Sequence, residues 1–503
     1  MSKPNKVTIR KLLTGVPGLD EVFGGGLPEY SFNIIGGTPG CGKTTLAHQI
    51  MFANATPERP AIYFTVLGEP AFKMLRYQQQ YEFFDQEKLK STIRFINLSK
   101  FALEGDLNSV LDEIIKEVGS FSPGIVVVDS FRTMKWSTQS GDTTGELQAF
   151  VQKLALFLTS WQATTFLIGE YSDKEIQNHP IFTVADGLFW LYQKAEGNSV
   201  VRKMQVMKLR GQASIPGIHT VRITDSGMQI FPRTFGLINQ HKSNPAPKRL
   251  SIGVPSLDAL MGGGIHEGNS VLISGPSGSG KSILGVHFIA QGLQVGEPGV
   301  IAIFEETPDT YLRHASQIGL DLSAHKKAGK LEIIYLRPLD LSVDETLHDI
   351  AEAVARTGAK RIVLDSLAGF EMALAPGFRT DFRESLYRMI SALTKLGVTV
   401  LSTIETQDKF DSFGLSNYNI SFLSDSIIRL RYVSIRGRLR KLLAIVKMRG
   451  SAHSNDMYEY RITETGIKIE KPFNNYRGLT SGIPAPWDSS EGSDADDQEI
   501  ASE

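Results

Sequence analysis

The phosphate-binding pattern G-x-x-x-x-G-K-[ST] occurs twice in this sequence, at residues 37–44 and 275–282. Glycines at this spacing let successive backbone N–H groups point at a phosphate chain, beside the positive end of the helix that follows. The lysine of each copy, Lys43 or Lys281, is expected to reach the terminal phosphates. Because two copies make a chance match negligible, the sequence predicts two nucleotide-binding sites.

The predicted nucleotide contacts extend one residue past each pattern. In the first copy they are Gly37, Thr38, Pro39, Gly40, Cys41, Gly42, Lys43, Thr44 and Thr45. In the second copy they are Gly275, Pro276, Ser277, Gly278, Ser279, Gly280, Lys281, Ser282 and Ile283. A small residue suffices at the position of Cys41, and no special thiol role is predicted for it.

A hydroxyl and a carboxylate are predicted to hold Mg²⁺ in each site. The hydroxyl belongs to Thr44 or Ser282, next to the loop lysine. The carboxylate belongs to Asp129 or Asp365, each of which ends an apolar strand and precedes a serine. Walker B acidic residues have this position and this role. The alternative is a strand-end aspartate that caps the next helix.

Two adjacent glutamates, Glu305 and Glu306, follow the apolar stretch VIAIF. At the end of the strand after the phosphate-loop helix, a carboxylate can take a proton from the nucleophile that attacks the γ-phosphate. The alternative is a pair of solvated loop charges. Catalytic roles are therefore predicted for Glu305, Glu306 and Lys281 in the second half of the chain.

The first half lacks this pair of carboxylates. At an offset of 238 residues, Glu305 and Glu306 correspond to Leu67 and Gly68, neither of which accepts a proton. Glu69 lies one position further on and would act only if the loop shifted. We therefore expect the first site to bind ATP but to hydrolyse it weakly.

An internal repeat relates the two halves. Residues 14–29 return within 252–268, and residues 36–45 return at 274–283. The offset is 238 both from Gly15 to Gly253 and from Lys43 to Lys281. The strand-end aspartates and two KxRG segments recur with offsets of 236 and 239. One duplicated fold is therefore predicted. Its parts are a first domain at 1–240, a linker at 241–250, a second domain at 251–484 and an acidic disordered tail at 485–503.

Apolar strands alternate with stretches of helical length in each half, which favours a mainly parallel sheet with helices on both faces. In the first half, strands are predicted at 31–36, 61–66, 125–129 and 164–169. The later segments 203–210 and 219–231 are predicted to add an antiparallel hairpin. The predicted fold class is α/β, with two tandem RecA-like P-loop ATPase domains.

The chain carries 53 basic and 54 acidic residues, for a formal net charge of −1. This balance gives no electrostatic reason to expect a nucleic-acid partner. The single cysteine excludes an intrachain disulfide. The first residues lack the apolar core of a signal peptide, and no apolar run reaches 18 residues. A cytoplasmic protein without a membrane partner is therefore predicted.

With these motifs assembled, the chain resembles the family of KaiC, the circadian-clock ATPase and autokinase, and its relatives from non-photosynthetic bacteria. The resemblance spans residues 13–484 and rests on the tandem halves, GGG before each phosphate loop, FEETP, the KxRG segments and the run 472–484. It implies a homohexamer of two stacked rings that binds ATP and Mg²⁺ between neighbouring subunits. It also implies four residues that reach the neighbour's γ-phosphate, as arginine fingers do: Lys208, Arg210, Lys447 and Arg449. A KxRG turn by itself is equally compatible with a surface hairpin.

The family's second half phosphorylates its own adjacent serine and threonine. The matching segment here, residues 420–428, keeps the serine as Ser421 and has Phe422 in place of the threonine. The resemblance therefore implies a serine autokinase and autophosphatase with Ser421 as its phosphosite and Ser416 as the second choice. The alternative is that Ser421 is an ordinary loop serine. The sequence leaves open whether a KaiB-like partner protein binds.

A nucleic-acid-dependent ATPase such as RadA or DnaB is the alternative from another class, because these proteins share the core fold. It would need basic loops or added DNA-binding modules lining a channel. The short basic run at 436–443 is the feature in its favour. A signalling scaffold with structural nucleotides is a third candidate. Stimulation of ATP turnover by single-stranded DNA would favour the nucleic-acid-dependent ATPase. A lack of ATP turnover would favour the scaffold.

Overall fold

The computed structural model describes residues 9–66, 71–103, 107–130, 143–172, 180–196, 199–233, 248–336, 341–374, 382–406, 423–474, 476–477 and 485–486. The chain divides into two compact units, Met1–Thr234 and Phe235–Glu503. The limits predicted for the domains, the linker and the tail stay predictions. No helix in the described ranges is long and apolar enough to cross a membrane.

The first unit contains a nine-stranded sheet and a small two-stranded one. Its strands are β1 (Lys11–Leu12), β2 (Leu27–Pro28), β3 (Phe32–Gly37), β4 (Ala61–Thr65), β5 (Ile93–Asn97), β6 (Ile125–Asp129), β7 (Thr164–Glu170), β8 (Gly187–Glu196), β9 (Ser199–Leu209), β10 (Ile218–Thr224) and β11 (Gly227–Phe231). The order across the large sheet is β11-β10-β9-β8-β3-β7-β6-β4-β5. The pairs among β3 to β8 are parallel, and β8 to β11 form an antiparallel meander.

The second unit repeats this arrangement. Its strands are β12 (Arg249–Leu250), β13 (Ile265–His266), β14 (Ser270–Gly275), β15 (Gly299–Ile303), β16 (Leu331–Tyr335), β17 (Arg361–Asp365), β18 (Thr399–Glu405), β19 (Ser426–Ile435), β20 (Arg438–Met448), β21 (Tyr458–Thr463), β22 (Gly466–Pro472), β23 (Tyr476–Arg477) and β24 (Ala485–Pro486). The large sheet has the order β16-β15-β17-β18-β14-β19-β20-β21-β22, which matches the first sheet strand for strand. The predicted tandem α/β domains are confirmed, and the added antiparallel part is larger than one hairpin.

Helices flank both sheets. Those of the first unit are α1 (Leu19–Val22), α2 (Lys43–Asn54), α3 (Ala71–Gln78), α4 (Gln86–Ser91), α5 (Ser99–Leu103), α6 (Leu107–Phe121) and α7 (Thr143–Ser160). Those of the second are α8 (Pro255–Leu260), α9 (Lys281–Gln294), α10 (Pro308–Gln317), α11 (Ser323–Lys327), α12 (Val343–Thr357), α13 (Leu367–Ala373) and α14 (Phe382–Lys395).

Each large sheet separates two hydrophobic cores. Successive residues of a strand point to opposite faces, so that Ile34 belongs to one core of the first unit and Ile35 to the other. Ile62 and Tyr63 on β4 divide in the same way. Continuous burial on both faces explains why the parallel strands are apolar throughout. The polar groups that could do chemistry are therefore placed at the strand ends.

Candidate functional site

Each phosphate-binding loop connects a central strand to the helix that follows it, from β3 to α2 in the first unit and from β14 to α9 in the second. Both helices begin at the lysine of the pattern, after a glycine with a left-handed backbone. The φ angle is 101° at Gly42 and 99° at Gly280. A Cβ on Gly42 would also lie 2.7 Å from side-chain atoms of Ile223 and Met228. Glycine is therefore needed at this position for both conformation and space.

The loop lysines lie within their own loops. Lys43 Nζ donates a 2.8 Å hydrogen bond to the carbonyl oxygen of Thr38, and Lys281 Nζ donates a 2.8 Å bond to that of Pro276. Burial lowers the pKa of Lys281, and the nearby carboxylates offset this effect in part. Both ammonium groups therefore lie where the terminal phosphates of a nucleotide would bind.

The hydroxyl and the carboxylate predicted for Mg²⁺ meet in both units. Thr44 Oγ1 donates to Asp129 Oδ2 at 2.7 Å, and Ser282 hydrogen-bonds to Asp365. Burial raises the pKa of both aspartates, and hydroxyl donors favour their charged forms. Such hard oxygen donors suit Mg²⁺, which binds one or two protein groups beside phosphate oxygens. The residues fit the ion.

A second hydroxyl holds each aspartate, and it comes from a different strand in each unit. Tyr63 on β4 donates to Asp129 Oδ2 at 2.5 Å, whereas Thr403 on β18 donates to Asp365 Oδ1 at 2.5 Å. In the second unit, the cap of the next helix is the neighbouring Ser366, whose Oγ accepts from the N–H of Gly369 at 3.1 Å. The carboxylate of Asp365 is thus directed at the phosphate loop.

The two adjacent glutamates have different surroundings. Ser366 Oγ donates to Glu305 Oε1 at 2.6 Å, and Glu305 lines the cavity next to the second phosphate loop. Glu306 pairs with His314 at 3.1 Å and is not among the described residues that line this cavity. Burial raises the pKa of Glu306. The geometry therefore favours Glu305 as the group that faces a bound nucleotide.

The corresponding segment of the first unit, residues 67–70, lies outside the described residues. The expectations for Leu67, Gly68 and Glu69 therefore stay predictions.

Sequence reasoning missed one carboxylate in each site. Glu170 ends β7 and Glu405 ends β18, and each lines the cavity of its own unit. Glu170 Oε1 lies 3.8 Å from Lys43 Nζ. Because β7 pairs in parallel with β3, its end lies beside the phosphate loop. Two acidic residues at equivalent ends of duplicated strands were the signal available in the sequence.

The two cavities differ in size and in lining. The first has a volume of about 540 Å³ and is lined by Gly40, Gly42, Lys43, Thr44 and Thr45 of the predicted contacts. The second has a volume of about 290 Å³ and is lined by Ser277, Gly278, Gly280, Lys281, Ser282 and Ile283. The first cavity also includes Met74, Tyr81 and Arg202. Cys41 is buried, and burial raises the pKa of its thiol.

The KxRG cations lie at the other end of the sheet from the loop of their own unit. Arg210 Nη1 donates to Asp186 Oδ1 at 3.1 Å, and Asp186 Oδ2 accepts from the N–H of Phe32 at 3.0 Å. Phe32 begins β3, whereas the phosphate loop follows the end of β3. Arg449 and Asp425 repeat this arrangement at the start of β14.

The two lysines of these segments are held by backbone carbonyls. Lys208 Nζ donates to the carbonyl oxygen of Thr183 at 3.1 Å, and Lys447 Nζ donates to that of Ser424 at 2.7 Å. Partial burial and the adjacent arginine lower the pKa of both lysines. The two halves therefore share one arrangement of these cations.

The predicted phosphosites Ser421 and Ser416 fall in residues 407–422, which lie outside the described residues. Among the described residues, no group of three or more histidine, cysteine, aspartate or glutamate side chains could hold a metal ion.

Comparison with known proteins gives one consistent family. The family model described as "ATPase: KaiC" matches residues 12–234 and 250–473. The circadian clock oscillator protein KaiC of Acaryochloris marina is 27% identical over 494 residues, which cover 95% of this chain and 92% of the relative. The KaiC of Thermostichus vulcanus is 28% identical over 498 residues, with coverage of 96% and 93%. That of Parathermosynechococcus lividus is 29% identical over 488 residues, with coverage of 95% and 88%.

Proposed function

This chain belongs to the KaiC ATPase family, whose model matches both of its halves, and we propose that it is a hexameric ATPase and serine autokinase and autophosphatase. In this proposal, the second domain carries most of the chemistry. The first domain binds ATP mainly for assembly of the ring. The protein acts in the cytoplasm with ATP and Mg²⁺, and a KaiB-like protein is a candidate partner.

The observation that carries the proposal is the position of Glu305. Its carboxylate shares one cavity with Lys281, Ser282 and Asp365. Ser366 Oγ donates to one oxygen of this carboxylate, which orients it and leaves its second oxygen for a nucleophile.

The reaction follows from these groups. Glu305 takes a proton from a water molecule, or from the hydroxyl of Ser421, as that oxygen attacks the γ-phosphorus and the bond to the bridging oxygen of ADP breaks. Lys281 compensates negative charge on the terminal phosphates. Ser282 and Asp365 would hold Mg²⁺, which supplies charge neutralisation at the β- and γ-phosphate oxygens when it is bound.

The KxRG cations support an assembly in which one subunit completes the site of the next. The six residues of β3 span about 17 Å at the usual rise of a strand. Arg210 is tied to Asp186 at the start of this strand, too far from its own phosphate loop for its side chain to reach. We propose that Lys208, Arg210, Lys447 and Arg449 contact the γ-phosphate bound by the neighbouring subunit, as fingers in trans do.

One experiment tests both activities in the second domain. We expect Glu305→Gln to lower ATP turnover by about 10²- to 10⁴-fold, which is typical for the loss of a general base. Mass spectrometry after incubation with Mg-ATP should find phosphate on Ser421 of the wild type and none on the variant.

Glu306→Gln is the matched control, since Glu306 pairs with His314 and does not line the cavity. Its turnover should stay within about 10-fold of the wild type. Undiminished turnover in Glu305→Gln would refute the catalytic assignment. Wild-type protein without phosphate on Ser421 would refute the kinase assignment.

A further inference from the structure

We propose that Tyr81 is the platform on which the first site binds the base of its nucleotide. This inference rests on the proposed binding of ATP in the first domain, and it adds a residue that recognises the part of the ligand that phosphate loops do not hold. The ligand class is a nucleoside triphosphate, whose base supplies the ring that stacks.

The position of Tyr81 in the first cavity is the first argument. The phosphate loop, Thr44 and Asp129 account for the phosphate and Mg²⁺ part of the ligand. The same cavity, of about 540 Å³, is also lined by Met74, Tyr81 and Ile223, which have no role toward phosphates. Tyr81 is the only aromatic residue among the described residues of this lining. A base bound in the cavity therefore has one π face available for stacking.

Tyr81 is held in place before any ligand binds. Its N–H donates to the carbonyl oxygen of Gln78, and its own carbonyl oxygen accepts from the N–H of Phe84, both at 3.1 Å. The next residue, Glu82, donates its N–H to the carbonyl oxygen of Asp225 at 2.9 Å. This bond ties the segment to the turn between β10 and β11.

A second aromatic ring also supports one face of the Tyr81 ring. The Tyr81 ring stacks on Phe83 with a centroid distance of 5.1 Å and an interplanar angle of 11°. Phe83 packs in turn against Phe52 on α2, with a centroid distance of 6.0 Å. A rigid aromatic ring loses little entropy when a ligand stacks on it. This support favours a platform that is ready to bind.

The second site is built differently at this point. At the repeat offset of 238 residues, Tyr81 corresponds to Gly319, which has no side chain to offer. The second cavity measures about 290 Å³, and its described lining contains no aromatic residue. The platform therefore belongs to the first half alone, in agreement with a site that retains its nucleotide.

The test compares two ligands in the full-length chain. All variants are made in a Lys281→Ala chain, the parent, in which the second phosphate loop is disabled so that binding reports on the first site. Isothermal titration calorimetry measures the Kd of Mg-ATP and that of magnesium tripolyphosphate. We expect Tyr81→Ala to raise the Kd of ATP by about 10-fold, within the range measured for base–aromatic stacking. The Kd of tripolyphosphate should not change, because it has no base. Tyr81→Trp should bind ATP as well as the parent does.

Tyr77→Ala is the matched control, since Tyr77 is a tyrosine of α3 with 60% of its surface exposed, and it should leave both affinities unchanged. An unchanged Kd of ATP in Tyr81→Ala would overturn the role of Tyr81 and leave the proposed ATP site of the first domain intact. An equal loss for ATP and tripolyphosphate would also overturn it, because the loss would then lie in the loop. A parent that binds neither ligand would overturn the proposed ATP site of the first domain as well.

Discussion

Glu170 and Glu405 place a second carboxylate at equivalent positions of the two sites. In the second site, Glu405 shares the cavity with Glu305. In the first site, Glu170 lies 3.8 Å from the ammonium group of Lys43 and retains 44% of its side-chain exposure. A carboxylate so close to the loop lysine competes with the phosphates for its charge and repels them. We therefore interpret Glu170 as a residue that limits the affinity of the first site for ATP.

This interpretation predicts the effect of removing the charge. In the Lys281→Ala chain, Glu170→Gln should lower the Kd of Mg-ATP by about 5-fold at low salt, because one repulsion in a partly solvated site disappears. The gain should shrink as salt rises, and titration calorimetry at two salt concentrations measures both effects. If Glu170→Gln instead removed the turnover that remains in Glu305→Gln, Glu170 would be a proton acceptor and the first domain would be a hydrolase.

Much of the site could be predicted from short motifs, because the loop glycines, lysines and hydroxyls are local in the sequence. Glu170 was missed, because its place beside Lys43 depends on the pairing of β7 with β3 and the sequence signals it only through the acidic ends of two equivalent strands. The Tyr63–Asp129 and Thr403–Asp365 hydrogen bonds were not predicted from the sequence, for a related reason. The second hydroxyl comes from a different strand in each half, so that the internal repeat did not reveal it.

Among the elements, α12 carries a charge arrangement that should make the second domain sensitive to pH. Asp349 lies one turn from both Glu345 and Glu352 on this helix. Burial, followed by repulsion from Glu345, raises the pKa of Asp349 to about 6, although His348 opposes this shift. The folded chain therefore binds this proton more tightly than the unfolded chain, in which the pKa is 3.8. Charged Asp349 destabilises the fold progressively as pH rises from about 4 to about 6.

We expect Asp349→Asn to raise the free energy of unfolding of the second domain by about 1 kcal/mol at pH 7, after a discount for the solvent exposure of the group. At about pH 3 the gain should be close to zero, because the aspartate is then mostly protonated in both states. Urea denaturation at the two pH values measures the difference. Asp456→Asn changes an exposed aspartate of the same domain and serves as the control. An equal gain at both pH values would contradict the assignment.

The elements themselves were largely predictable, whereas their order was not. The segment predicted at 61–66 is β4 (Ala61–Thr65), and the one at 125–129 is β6, because buried parallel strands are apolar on both faces. The strand β8 (Gly187–Glu196) was not among the predicted ones. It joins the parallel and antiparallel parts by pairing with β3 on one side and β9 on the other. Only the assembled sheet specifies such a junction.

At the scale of the whole molecule, the two sites are expected to have unequal roles in assembly. The first cavity is the larger one and is lined by Tyr81, whereas the second is lined by Glu305. In the proposed ring, the γ-phosphate bound by one subunit would add an ion-pair partner for the KxRG cations of the next subunit. ATP in the first domain should therefore hold subunits together for as long as it is not hydrolysed.

The matched loop variants Lys43→Ala and Lys281→Ala test this division. Light scattering after size exclusion, with Mg-ATP present, should give the wild type and Lys281→Ala about six times the chain mass of 55.4 kDa. Lys43→Ala should remain smaller, because the first phosphate loop then binds ATP too weakly to present a γ-phosphate to the fingers next to it. Without nucleotide, all three proteins should dissociate. A full-size Lys43→Ala ring would instead assign assembly to the second domain, and the asymmetry between the two halves would then concern catalysis alone.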